Sequence, residues 1–273
     1  MSVGDSFFRS REERLAAAKE MNLFSIVFMS VALTDLPSCE YVLRVITGIA
    51  DLKVIEVRRQ YEVAKLVSRD GVLDILAEDG KGQKYNLEIQ RKDTVDHARR
   101  VRLYSSLIDS ELLEKGTQFS DLPELYIIYI SETDIWKKGR TTYVVEKKIK
   151  DTDFNYDDGL HIIYVNAEVN DGSDIAKMMK YFKNADPNDD SQGDLSKRVH
   201  FLKCEEGGAD IMCAITDSFV KEGERAGILK SILVLMQTTD WDADKVMEAL
   251  QVPSEDRSTY AAFVKANKNF QTV

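Results

Sequence analysis

The chain holds little that would cross-link it or break it into pieces. Its 273 residues include only 3 cysteines, 4 prolines and 14 glycines. Cys39, Cys204 and Cys213 make no C-x-x-C pair and no zinc spacing. An odd, scattered set suits a reducing cytoplasm and excludes a disulfide framework. So few prolines and glycines argue against long disordered linkers. The most apolar early run, residues 23–33, is 11 residues long, whereas a membrane-spanning helix takes about 20. Ser30-Val31-Ala32 loosely imitates a signal cleavage site, but the long segment before the run is of mixed charge, unlike a compact basic leader. The expectation is a cytoplasmic protein that engages no membrane. Also missing are a phosphate-cradling G-x-x-x-x-G-K-[ST], a G-x-G-x-x-G after a strand, and any G-x-S-x-G or H-E-x-x-H context for His97, His161 or His200.

An excess of positive charge is missing too. Lys and Arg total 37 against 47 Asp and Glu, a net charge of −10. Such a total disfavours indiscriminate adhesion to nucleic acid. It leaves room for a local basic patch, because phosphates are contacted locally. The 44% hydrophobic and 31% charged content is that of a soluble globular protein. The length fits one large domain, or a domain with a helical extension.

Along the chain, residues 11–21 are charged and Ala-rich and favour helix. Run 23–33 reads equally as buried helix or strand. Residues 38–50 read as a helix capped by Ser38, with Tyr41, Val42, Val45, Ile46 and Ile49 at helical spacing. Segment 54–67 is rich in β-branched and aromatic residues and reads as a strand. Strands 72–79 and 83–90 flank Gly80-Lys81-Gly82. A helix follows over 94–115, with Val101, Tyr104, Ile108 and Leu112 on one stripe, Leu107 widening it and Gly116 as a C-cap. The almost continuous apolar run 124–130 predicts a buried central strand, and 141–149 and 160–168 predict two more. The acidic stretch 184–194, with Pro187 and Gly193, is the clearest break. Beyond it the sequence is helical: one long helix over 210–237, interrupted in propensity by Gly223 and Gly227, then helices near 240–250 and 254–267. The predicted layout is an α/β domain over 1–185 with a central mixed sheet, followed by a helical extension over 195–273.

The hairpin carries the chemistry. Strand side chains alternate, so Leu73, Ile75 and Ala77 share one face, Asp74 and Glu78 the other; Asn86, Glu88 and Gln90 likewise share a face. With the loop centred on Lys81, Asp74 falls opposite Glu88. Directly opposed Cβ atoms are about 4.5–5.5 Å apart, and two carboxylates there repel. A divalent cation would turn that repulsion into ligation. The plain alternative is an amphipathic hairpin with its polar face in water. A basic cluster follows: Arg91, Lys92, His97, Arg99, Arg100 and Arg102, with Arg58 and Arg59 on the preceding strand. Arg99 and Arg102, three apart on the helix, share a face. This cluster reads as a phosphate contact, Arg being able to fork onto phosphate, or as a solvated face paired with Asp93 and Asp96.

The stretch VLDILAEDGKGQKYNLEIQ resembles the core of PD-(D/E)XK nucleases, and most closely their recombination-promoting nuclease/transposase branch. HARRVRLYSSLIDSELLEKG, FSDLPELYIIYISETDIW, DGLHIIYVN and DIAKMMKYF fit that branch in order, so the resemblance covers roughly residues 20–185. It implies a restriction-endonuclease-like central mixed β-sheet flanked by helices, with a C-terminal helical extension. It also implies an endonuclease that hydrolyses DNA phosphodiesters with Mg²⁺, or Mn²⁺ in its place, in transposition or recombination. Carried over, Asp74 and Glu88 are the metal-binding acids and the Ile89 backbone carbonyl completes part of the coordination shell. Two departures stand out. The superfamily's usual Lys is Gln90 here, which offers hydrogen bonds but no charge; and Leu73, not Pro, precedes Asp74. Lys92, two residues on and on the same strand face, either supplies the missing charge or is a solvated strand end. Glu40 is the candidate for the extra acid some of these nucleases use. Arg58, Arg91, Arg99, Arg100 and Arg102 are the candidate DNA contacts. The competing expectation is a catalytically inactive nuclease fold that binds DNA or assembles proteins. The acidic C-terminal helices suit packing or a homodimer contact better than groove reading.

Overall fold

The computed structural model of the protein describes residues 11–63, 71–91, 96–113 and 118–268. Its strands are β1 (Val54–Val63), β2 (Gly71–Asp79), β3 (Lys84–Gln90), β4 (Leu125–Ser131), β5 (Thr142–Val145) and β6 (Leu160–Asn166). They form one mixed sheet in the order β1-β2-β3-β4-β6-β5. The first three run antiparallel, β4 and β6 continue from β3 in parallel, and β5 returns antiparallel at the edge. The helices are α1 (Arg11–Glu20), α2 (Ile26–Ala32), α3 (Leu36–Thr47), α4 (His97–Leu112), α5 (Asp174–Asn184), α6 (Gly193–Cys204), α7 (Glu206–Thr238), α8 (Ala243–Ala249) and α9 (Ser254–Lys268). This is the mixed sheet with flanking helices and a helical C-terminus that the sequence implies. Among the described residues, no single helix is long and apolar enough to cross a membrane.

Run 23–33, open between helix and strand in the sequence, is helical over α2, with Phe28 and Met29 fully buried. Helix α3 starts earlier than expected. Asp35, not Ser38, is its cap: the Asp35 carboxylate accepts from the Ser38 backbone N–H at 3.2 Å and the Ser38 hydroxyl at 2.7 Å. Pro37 fits there because the first helical turn leaves its N–H groups unpaired anyway. The helix stops at Gly48, whose φ of 73° is readily adopted without a Cβ. The predicted strand 141–149 is cut to four residues, since its remainder is the charged run EKK. The turn 68–71, the far end of strand 54–67 and the Gly116 cap fall wholly or partly outside the described residues.

Every element of the sheet centre is buried on both faces. Asn86, Ile127, Tyr129, Ile162 and Tyr164 lie on the face that carries α4, packed with Leu76, Val101, Leu107 and Ile108. The alternate residues Ile75, Leu87, Ile128, Ile130 and Val165 are fully or almost fully buried on the other side. Contacts to the sheet also come from α2, α3 and α5, which touch β2, β1 and β6. The hairpin therefore has no face in water, contrary to the amphipathic alternative.

The chain divides into units Met1–Cys213 and Ala214–Val273. The acidic stretch 184–194 thus lies inside the first unit. It is held there because Tyr41 donates to the Gln192 side chain at 3.2 Å and Ser38 to the Asp194 carbonyl at 3.2 Å, while α6 packs on α3. The second unit has its own small core of Ile232, Val246, Met247, Val252, Tyr260 and Val264. Gly223 and Gly227 do not interrupt α7.

Leu87→Ala, in the strand buried on both faces, should cost about 2–5 kcal/mol in urea unfolding. Val144→Ala, at a side chain 65% exposed on the edge strand, should stay within about 0.5 kcal/mol of the parent.

Candidate metal centre

Strands β2 and β3 pair from Glu78↔Lys84 to Ile75↔Leu87. One step further, Asp74 meets Glu88, and the ladder changes character. The Asp74 N–H donates to Glu88 Oε1 at 3.3 Å, and the Ile89 N–H donates to Asp74 Oδ2 at 2.9 Å. Each carboxylate thus takes a backbone N–H of the facing strand. Both strands stay in the sheet through their other neighbours: β2 pairs with β1 to Gly71, and β3 with β4 to Gln90.

The two carboxylates are out of water, Asp74 being 7% and Glu88 1% exposed. Burial is the main force pushing both upward, Asp74 to about 6 and Glu88 well above the usual carboxylate range. For Glu88 the adjacent Asp74 charge adds to the push. Hydrogen bonds to the ionised forms and the positive charge of Arg100 oppose it. Asn86, two residues before Glu88 on the same face, donates to Glu88 Oε1 at 3.1 Å. Its own Oδ1 is buried without a partner among the described residues. An orphaned buried carbonyl costs about 1–3 kcal/mol.

Helix α4 closes the site. Its residues Arg100 and Tyr104 face the pair: Arg100 acts on both carboxylates, and Tyr104 is pushed up to about 12 by burial first and by the Glu88 charge second. Tyr104 packs against the core as its stripe position predicts, and it is half-buried where the charges of Glu88 and Asp74 also act on it. The signal was its spacing, four residues after Arg100 and hence on the same helix face.

The remaining candidates lie as follows. Gln90 is half-buried on the face of Glu88, and its backbone carbonyl accepts from Glu132 N–H at 3.3 Å. Lys92 lies outside the described residues. Arg99 and Arg102 are exposed on α4. Arg58 is on the same sheet face, opposite Leu76, with its guanidinium forked onto Glu56 at 2.8 and 3.1 Å. Arg91 points away from the pair: it donates to the Phe24 carbonyl at 2.9 Å and to Asn22 at 3.3 Å, fastening β3 to the segment before α2. Glu40 is not brought to the acids. It accepts from the Val54 N–H at 2.9 Å and pairs with Arg44 at 2.8 Å, beside the far end of β2 where Val54 meets Asp79. His161 is a structural histidine, 2.5 Å from Glu124 and stacked on Tyr126.

Among the described residues, no three His, Cys, Asp or Glu side chains gather as a metal cluster. The donor set at the pair is two carboxylates beside a bare amide oxygen. Such all-oxygen donors suit a hard cation, Mg²⁺ or Mn²⁺, rather than zinc. A cation would also remove the repulsion and give the Asn86 oxygen a partner, so the residues present fit the group.

Residues 44–205 match the family model described as PD-(D/E)XK nuclease family transposase. No curated protein and no solved structure matches the chain.

A stability measurement tests the electrostatics. Both carboxyls have folded-state values above their unfolded ones, so the pair favours the fold below about pH 4 and loses that contribution as pH rises through about 6. In EDTA, Asp74→Asn should match the parent near pH 4 and exceed it by roughly 1–3 kcal/mol at pH 8. Added Mn²⁺ should stabilise the parent and leave Asp74→Asn unchanged.

Proposed function

Given that the chain belongs to the PD-(D/E)XK nuclease family transposases, we propose that it is a divalent-metal-dependent endonuclease that hydrolyses DNA phosphodiesters in transposition or recombination. One observation carries the proposal: two buried carboxylates on facing strands, Glu88 accepting from the Asp74 N–H and Asp74 from the Ile89 N–H, each driven towards neutrality unless a cation joins them. Asp74, Glu88 and the Ile89 carbonyl would hold Mg²⁺, or Mn²⁺ in its place. A strand residue turns its N–H and C=O to the same edge. The Ile89 N–H bond to Asp74 therefore aims the Ile89 carbonyl at the same gap. Bound there, the cation would polarise the scissile phosphate and lower the pKa of the attacking water.

The chain's own groups do the rest. The Asp74 and Glu88 positions are fixed by their backbone donors, so little reorganisation accompanies binding. Arg100 brings positive charge to the same place, on a helix residue 29% exposed in its side chain and 3.9 Å from Asp96. Tyr104 keeps its proton at neutral pH, so its hydroxyl can donate to a phosphate oxygen or a carboxylate. Gln90 orients by hydrogen bonds and adds no charge, which leaves Lys92 as the candidate for the missing cation. Arg58, Arg99 and Arg102 are the proposed DNA contacts on this face; Arg91, already bound to Phe24 and Asn22, is the weakest of the set. The reading includes a cytoplasmic setting, which three free cysteines suit, and a homodimer through the C-terminal helices, since cutting both strands of a duplex takes two acid pairs.

Gln90 favours a second reading, an inactive nuclease fold used for DNA binding or assembly. Cleavage assays separate the two. Mn²⁺- or Mg²⁺-dependent nicking should fall by orders of magnitude in Asp74→Ala and Glu88→Ala. Equal cutting by both variants would remove the site assignment. Absence of cutting together with no Glu88-dependent calorimetric metal heat would establish the second reading. Lys92→Ala should slow cutting far more than Gln90→Ala; the reverse order would show that Lys92 does not replace the usual lysine.

A further inference from the structure

An acidic protein that binds DNA needs a local cationic surface, and the arginines after β3 supply only part of one. The loop between β4 and β5 supplies more. Trp136-Lys137-Lys138-Gly139-Arg140 is exposed throughout, and three of its five residues are cationic. We propose that this loop is a phosphate-binding element that grips the backbone of a DNA duplex a few nucleotides from the acid pair. The proposal rests on the nuclease reading for its substrate but not for its geometry.

The loop is built from within. Asp134, 5% exposed, receives the Glu168 carboxylate on its own N–H at 2.7 Å. Its carboxylate accepts from the Lys137 N–H at 3.1 Å, the Gly139 N–H at 2.8 Å and the Tyr143 hydroxyl at 2.6 Å. The Tyr143 oxygen accepts in turn from the Lys138 N–H at 3.3 Å and the Arg140 N–H at 3.4 Å. Four successive backbone donors, 137 to 140, therefore turn inward onto two side chains. Lys137 and Gly139 both take left-handed backbone angles, φ 52° and 70°, to allow it. Holding Lys137 there costs about 1 kcal/mol or more, a cost the Asp134 and Tyr143 bonds offset. Asn166 closes the far end, donating to the Arg140 carbonyl at 2.6 Å. With the backbone fixed inward, Lys137, Lys138 and Arg140 are presented to solvent on a frame that loses little entropy on binding.

The loop is also fixed relative to the acids. The Trp136 ring packs 4.6 Å from Tyr164, 4.9 Å from Tyr143 and 5.2 Å from His97, the first residue of α4. Glu88, Tyr129, Tyr164 and Tyr143 are successive partners across β3, β4, β6 and β5. Tyr164 is therefore two strands from Glu88, roughly 10 Å at about 4.8 Å per strand. Phosphates of one DNA strand recur every ~3.4 Å along the helix axis, so a strand crossing the acid pair reaches the loop about three to four nucleotides on. Duplex DNA is the occupant that fits: cations are grouped on a rigid frame, and no base-reading helix is involved.

The test is equilibrium binding of a labelled duplex to the full chain in EDTA, by filter retention, from 50 to 200 mM KCl. Lys137→Ala/Lys138→Ala/Arg140→Ala should bind at least 10-fold more weakly at the lowest salt. Its slope of log K against log salt should fall by roughly 2 to 3, about 0.9 per lost phosphate contact. Tyr143→Phe keeps the cations and removes the hydroxyl; it should weaken binding several-fold with an unchanged slope. Lys177→Ala/Lys180→Ala/Lys183→Ala on α5 should leave affinity and slope unaltered. A loop variant with parental affinity and slope, while the parent binds, overturns the inference and leaves the nuclease reading standing. Loop-dependent binding without metal-dependent cutting supports the inference and removes the nuclease reading. A parent chain that binds no DNA removes both.

Discussion

Strand β3 sits where the antiparallel half of the sheet meets the parallel half, and it is covered on both faces. That position imposes one constraint on everything around it: each polar group β3 carries must find a partner inside the protein. Asn86 and Glu88 occupy two of its five most buried positions. They meet the constraint through each other and through the backbone of β2. What remains unsatisfied is an excess of negative charge and one amide oxygen. The site is defined by that remainder. Apolar residues of similar size at Asp74 and Glu88 would remove the desolvation cost that burial lays on the two acids.

The face that carries the acids also carries a row of tyrosines in register with them. From Glu88 the row passes to Tyr129 and Tyr164, both buried, then to Tyr143 at the edge. This arrangement ties a charged centre to a solvent-facing loop through rigid rings rather than through flexible chain. Helix α4 spans the same interval: His97 lies against the aromatic end, Arg100 and Tyr104 against the acids, and Ile108 over Leu76. Sheet row and helix are two independent rulers that set the same spacing.

Much of this is legible in the sequence. Counting from Lys81 placed Asp74 against Glu88, because a tight hairpin leaves register little freedom. The long apolar run 124–130 marked the central parallel strand for the same kind of reason: only strands buried on both faces lose alternation. Three features were not legible, and all three depend on contacts between distant residues. The burial of the hairpin's polar face requires α4 to return over it. Arg91, read as a phosphate contact, is held by Phe24, 67 residues away. The acidic stretch before α6 reads as the clearest break by composition, yet Tyr41 and Ser38 of α3 bind it. The cations of the β4–β5 loop were plain in the sequence, but their presentation depends on Asp134 and Tyr143, an acid and a phenol whose roles no local pattern announces.

The chain's two tryptophans fall one in each compact unit. Trp136 is 38% exposed and ringed by His97, Tyr143 and Tyr164, whereas Trp241 is 37% exposed with the Lys245 ammonium 4.9 Å above its ring. Their surroundings differ in kind, one aromatic and one cationic, so their intrinsic emission should differ in quenching and wavelength. The protein thus carries its own pair of optical reporters. One watches the β4–β5 loop and the other the C-terminal helices, and replacing either indole by phenylalanine would leave the remaining signal belonging to a single unit.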